Sequence, residues 1–235
     1  MDLTNRQLSI LSLIIQEFLK TRQEVSSLQL KRNYDLKISS ATLRNELVTL
    51  TEKGYLQKLH FASGRIPTLQ AFKLFINQDL AITPAFPTQI LTNLDDNIHE
   101  AVVTILAGIF PGLVFVVSKE KLQFKNLYNL VVLLINTLGP TESLSYTLEI
   151  IRFLEQHVYF YYYLSQNYGS SALKDIALIS LDIPDKKTIL PLLIMYVPFR
   201  HATDTGFIGT ISIPDTQTLH NARILKELSH ILTTV

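Results

Sequence analysis

Apolar residues recur at helical spacing from the first turns of the chain: Leu8, Leu11, Ile15 and Phe18 share one face, with Ile14 widening the stripe. Thr4 and Gln7 form a T-x-x-Q capping box and Leu3 can staple onto Leu8, so a helix is predicted from here to about Lys20. After the polar TRQEV, Ser26 or Ser27 can cap a short second helix through LQLKRNY, and DLKI makes a tight connection. Ser39 then caps a third helix predicted over Ser40 to Lys53, with Leu43, Leu47 and Leu50 on one face and Gly54 where a left-handed C-cap belongs. Opposite lie Ala41, Asn45, Val48 and Glu52, flanked by Thr42, Arg44 and Thr49. The outer face of this helix is therefore polar and partly cationic.

The pattern next changes period. Tyr55, Gln57, Leu59 and Phe61 alternate against Leu56, Lys58 and His60, which predicts a short hairpin turning near Ala62 to Gly64. Pro67 and Thr68 open a fourth helix, LQAFKLFINQDL. Three helices, a hairpin and a further helix make a winged helix-turn-helix, whose third helix would enter a DNA major groove while the hairpin lies along the backbone. Residues 1–80 are read as this domain, and AITPAFPT, residues 81–88, as a linker with two prolines. Residues 89–235 then read as a second, α+β domain. QILTNLDDNIHEAVVTILAGIF looks helical, the runs LVFVVS, NLVVLLI, VYFYYYL, IALISLDI, LLIMYV and FIGTISI suggest a central sheet, and SLSYTLEIIRFLEQH and TLHNARILKELSHIL read as helices.

Charge sharpens the division. The net charge of +1 hides eleven Lys/Arg against seven Asp/Glu in residues 1–80 and ten against thirteen in residues 81–235. Between Lys20 and Lys73 the ratio is ten to four, which suits a polyanionic partner such as double-stranded DNA. The chain has no cysteine, which excludes disulfides, thiol catalysis and thiolate-held metal clusters and fits a reducing compartment. The opening MDLTNRQLS has no apolar signal core, and the longest apolar runs are too short for a spanning helix. A soluble, cytoplasmic chain with no membrane partner is expected.

Enzyme chemistry finds little support. No nucleophile motif accompanies His201 and Asp204 of HATD, and such a pair in a loop reads as solvated. Asp95 and Asp96, adjacent on a predicted helix, point apart. Neither a P-loop nor a dinucleotide-binding glycine motif occurs, and the six histidines are scattered. No enzyme, cofactor or metal site is predicted. The tyrosine run at Tyr159 and Tyr161 to Tyr163 reads as a core strand with half its rings at an interface, or as the lining of a ligand pocket.

Residues 25–68 resemble the amino-terminal region of HrcA, the bacterial heat-inducible transcription repressor family. The S-A-T-[IL]-R-N-E signature stands at Ser40 to Glu46, L-x-x-x-G-Y-L at Leu50 to Leu56 and G-R-I-P-T at Gly64 to Thr68, in one ungapped stretch. The resemblance implies a homodimeric repressor with a winged helix, a GAF-like domain and an inserted dimerisation segment. It further implies binding to an inverted-repeat operator called CIRCE upstream of chaperonin genes, and a link to the GroEL chaperonin. This chain is shorter than is usual for the family, the inserted segment being reduced to about Ser143 to His157, and its wing carries Leu59, Phe61 and Ala62 where proline and hydroxyl residues are usual. The expected DNA-binding residues are Ser40, Thr42, Arg44, Asn45 and Thr49 on the third helix and Lys58, His60 and Arg65 around the wing, with Gly64 letting the turn approach the duplex closely. Arg44 and Asn45 suit guanine and adenine edges; the wing cations suit phosphates. A homodimer is expected through residues 89–235, with VYFYYYL and LLIMYV as the apolar surplus that supplies the interface. The alternative is a winged-helix protein-interaction module without operator binding.

Overall fold

The computed structural model describes residues 3–60, 63–78, 98–168, 176–181 and 192–234, which fall into two compact units. The linker expected at residues 81–88, Asp95, Asp96 and the hairpin tip at Phe61 and Ala62 lie outside the described residues. Among the described residues no helix is long and apolar enough to cross a membrane.

In the first unit, α1 (Asn5–Thr21) starts at the expected capping box: Thr4 Oγ1 accepts from the Gln7 N–H and Gln7 Oε1 from the Thr4 N–H, both at 3.2 Å. Two further helices follow, α2 (Ser27–Asn33) and α3 (Ser40–Glu52), whose Ser26 and Ser39 hydroxyls accept from Gln29 and Thr42 N–H. At the end of α3 the Gly54 N–H donates to Thr51 O and the Tyr55 N–H to Leu50 O, a Schellman closure that needs the φ of +80° at Gly54. The strands β1 (Leu56–Gln57) and β2 (Ile66–Pro67) pair antiparallel, and α4 (Leu69–Gln78) ends the unit. Ile14, Ile15 and Phe18 of α1 are buried, as are Leu43, Leu47 and Leu50 of α3 and Phe72 of α4. Each such side chain contributes about 1.5–3 kcal/mol to holding the helices together.

Seven residues are too few for α2 to be stable alone. Leu30 anchors it to the core, and Glu17 of α1 supplies a polar anchor. That carboxylate is 2% exposed and accepts from Gln29 Nε2 at 2.9 Å, Asn33 Nδ2 at 2.7 Å and Tyr34 OH at 2.9 Å. Burial alone would raise its pKa, but the three donors and the Lys20 ammonium outweigh it, and Glu17 titrates below its ordinary value.

Among the described residues the second unit is a five-stranded antiparallel sheet with helices on both faces. Its elements are α5 (Ile98–Ala107), β3 (Leu113–Ser118), β4 (Leu122–Lys125), α6 (Leu127–Leu138), α7 (Pro140–Glu155), α8 (His157–Tyr168), β5 (Ala177–Leu181), β6 (Leu192–His201), β7 (Asp204–Ser212) and α9 (Thr216–Thr234). The strand order is β4-β3-β7-β6-β5. Phe115 of β3 and Phe207 of β7 meet Phe160 and Tyr161 of α8 on one face, and Phe199 of β6 meets His99 of α5 on the other.

Two runs expected as strands are helical. NLVVLLI lies in α6, where Leu130 and Leu134 are buried one turn apart while Val132 and Ile135 are exposed. VYFYYYL lies in α8, where Phe160 and Leu164 point inward and Tyr159 and Tyr162 outward. Both runs have β-branched or aromatic composition, yet their burial repeats every four residues, and packing overrides the local preference. Among the described residues three helices, α6, α7 and α8, lie between β4 and β5, and Ser143 to His157 falls on α7 and the first residue of α8. LLIMYV is a strand, but Leu192 to Val197 are all buried and offer no surplus for an interface.

His201 and Asp204 close the β6–β7 turn as a paired register, and Asp204 is not simply solvated. Its Oδ2 lies 2.5 Å from Nε2 of the fully buried His99. Burial pushes the His99 imidazole down, against the raising pull of Asp204. The neutral tautomer protonated at Nε2 fits, because it leaves only an acceptor, Nδ1, without a partner.

Candidate nucleic-acid interface

The third helix divides its motif between two tasks. Leu43 and Leu47 fill the core, and Glu46 turns toward α1, where it accepts from Gln7 Nε2 at 3.0 Å and pairs with Arg6 at 3.4 Å. Lys53 Nζ donates to Gln7 Oε1 at 3.2 Å, so the capping glutamine of α1 also clamps the far end of α3. Ser40, Ala41, Arg44, Asn45 and Val48 remain exposed along the outer side. Arg44 enters no ion pair with a described residue. Thr42 and Thr49 are half-buried and spend their hydroxyls locally, Thr42 beside Ser39 Oγ at 2.9 Å and Thr49 on Asn45 O at 3.1 Å.

Around the hairpin, Lys58 and His60 are exposed, and Ser63 folds the turn back through its hydroxyl on His60 N and O. Arg65 is placed differently. Its backbone pairs with Val25 in both directions at 2.9 Å, adding a third chain segment to the hairpin, and its Nε donates to Thr51 Oγ1 at 3.1 Å. Burial lowers its pKa, although a guanidinium stays charged. The structure thus brings Ser40, Arg44 and Asn45 onto one open helix face and ties Arg65 to the end of that same helix.

Gly64 also has a local reason. A Cβ there would stand 2.9 Å from Glu24 Cβ and 3.0 Å from the Val25 carbonyl carbon, and the Gly64 N–H donates to Glu24 Oε2 at 3.1 Å. Its missing side chain serves the junction with residues 24–25, where close approach to a duplex had been expected. Sequence reading placed Val48 on the outer face without giving it a contact role, and left out the exposed Lys31, Arg32 and Lys37 on and after α2. The charge excess between Lys20 and Lys73 was the signal that contained those cations.

No protein-family model matches this sequence. Curated relatives do, and they are transcription repressors. The heat-inducible transcription repressor HrcA of Mycoplasma mycoides subsp. mycoides SC is 42% identical over 88 residues, 37% of this chain and 26% of that protein. That of Roseiflexus castenholzii is 46% identical over 88 residues, 37% of this chain and 24% of that protein. The match takes in 37% of this chain and spans about a quarter of the length of these relatives. A solved structure described as a hypothetical protein at 2.2 Å resolution shares the fold with a TM-score of 0.60 and 18% identity, covering 99% of both chains.

Proposed function

We propose that the protein is a transcription repressor of heat-shock genes that binds an inverted-repeat, CIRCE-type operator as a homodimer. The carrying observation is the outer face of α3, where Arg44, Asn45 and Val48 stand exposed on a helix locked from behind by Leu43, Glu46 and Leu47. On this reading the first unit is a winged helix, α3 is its recognition helix, and the β1–β2 hairpin is its wing. Arg44 and Asn45 read purine edges, the Val48 methyls suit a thymine methyl, and Ser40, Thr42, Thr49, Lys58 and His60 meet phosphates. Arg65 sets the wing against α3, and any phosphate contact it makes is secondary to that. The second unit serves as a GAF-like sensor and dimerisation domain; contact with the GroEL chaperonin belongs to the same reading.

One recognition helix reaches only a few base pairs, so a genomic address needs two half-sites and a two-fold protein. The exposed apolar side chains of α6 and α7 support an interface there, together with the tyrosine run, whose Val158, Tyr159 and Tyr162 are also exposed, whereas LLIMYV is buried. Tyr128 is 79% exposed and Leu144 and Leu148 are each 58% exposed, with Val132 and Ile135 continuing the α6 stripe. Apolar stripes of this kind on a folded unit mark contact surfaces. The test is fluorescence anisotropy with a duplex carrying the inverted repeat and with a scrambled duplex of equal length. The chain is expected to bind the repeat at least about 1,000-fold more tightly. A Leu144→Glu/Leu148→Glu variant is expected to stay folded, sediment as a monomer and lose most of that preference. Equal affinity for both duplexes would favour the protein-interaction module.

A further inference from the structure

The open edge of β6 borders a cleft that operator binding does not use. β5 pairs with β6 only as far as Ala177 opposite Tyr196, so from Val197 onward this edge has no strand partner among the described residues. Pro198 sits there without an N–H, and Ser229 Oγ of α9 donates to its carbonyl, which leaves little for an added strand to bond. Beside it lies a cavity of about 730 Å³. Tyr161 of α8 and Phe207 of β7, with ring centroids 5.7 Å apart, give it an aromatic wall, and Val197 adds to the apolar lining. Arg200 of β6 and Lys226 and His230 of α9 also line it. Neither Arg200 nor Lys226 enters an ion pair with a described residue. Asp204, the nearby acid of the β6–β7 turn, is engaged by His99.

A cavity of this size suits a small organic ligand, with apolar walls supplying affinity and a few polar groups fixing orientation. Here the polar groups include cations from two elements, Arg200 and Lys226, with no ion-pair partner among the described residues. We propose that the second unit binds an amphipathic small-molecule anion in this cleft, an aromatic or aliphatic acid whose body lies against Tyr161 and Phe207 and whose acid group meets Arg200 and Lys226. The inference is independent of operator binding, and its test contains no DNA.

The probe is 8-anilinonaphthalene-1-sulfonate, titrated by fluorescence against the full chain, with uncharged N-phenyl-1-naphthylamine as its counterpart and decanoate as competitor. One saturable site per chain is expected, displaced by decanoate and at least tenfold weaker for the uncharged dye. R200Q/K226Q should weaken the sulfonate at least tenfold with its melting temperature unchanged, because Arg200 is exposed, Lys226 is only half-buried and neither enters an ion pair with a described residue. Affinity within twofold of the parent in that variant, or equal binding of the uncharged dye, would overturn the proposal. So would a signal that disappears in L144E/L148E but persists in R200Q/K226Q, since that places the probe on the α6–α7 face.

Discussion

Arg44→Ala is expected to weaken binding to the inverted repeat by at least about 30-fold, while the melting temperature stays within a degree or two of the parent. A bidentate arginine–guanine contact is worth about 1–3 kcal/mol of discrimination, and a homodimer presents the residue twice. The side chain is exposed and in no described ion pair, so its removal costs the fold little. The loss should be larger on the repeat than on scrambled DNA, which separates base reading from phosphate contact. Asn45→Ala should act in the same direction. An Arg44→Ala protein that remains folded and binds both duplexes as the parent does would remove α3 from the reading role.

Glu17→Ala is expected to destabilise the first unit by about 2–4 kcal/mol and to abolish binding to the repeat, although Glu17 touches no DNA on this account. The substitution leaves Gln29, Asn33 and Tyr34 without their shared acceptor and frees α2 from α1. With α2 loose, the turn that aims α3 is lost. The same carboxylate predicts an acid limit. Its folded pKa lies below the ordinary value of 4.5, so its contribution is fully present above that value and is lost as pH falls through the lower folded one. Urea unfolding followed by circular dichroism at pH 7 and at pH 3 should therefore show the Glu17→Ala penalty shrinking in acid. A penalty independent of pH would mean that Glu17 acts through packing alone.

What the sequence made legible was what neighbours in sequence decide. Thr4 with Gln7, Ser39 with Thr42, and Gly54 after Leu50 are cap patterns spanning three or four residues, and each folds as its pattern requires. The outward set of Arg44 and Asn45 was legible for the same reason, since it follows from the Leu43, Leu47 and Leu50 stripe. Links over longer separations were not. Glu17 finds donors 12 to 17 residues away, Gly64 leans on Glu24 40 residues away, and His99 meets Asp204 across 105. Helices α6 and α8 misled for a different reason. Their β-branched and aromatic residues favour strands in isolation, and only the sheet face that Leu130, Leu134, Phe160 and Leu164 cover decides between the two periods. The strand β4 was missed because four half-polar residues at a sheet edge carry almost no alternation.

The central claim is that the outer face of α3 contacts DNA, and the methyl resonances of Val48 report on it most directly. In a methyl-labelled full chain, titrating the inverted-repeat duplex should shift the Val48 signals strongly and saturably, because its exposed side chain lies one turn beyond Arg44 and Asn45. The buried Leu43 and Leu47 methyls should move less, and the same titration with the scrambled duplex should leave Val48 nearly still. Val48 signals unchanged at saturating inverted repeat would contradict the account.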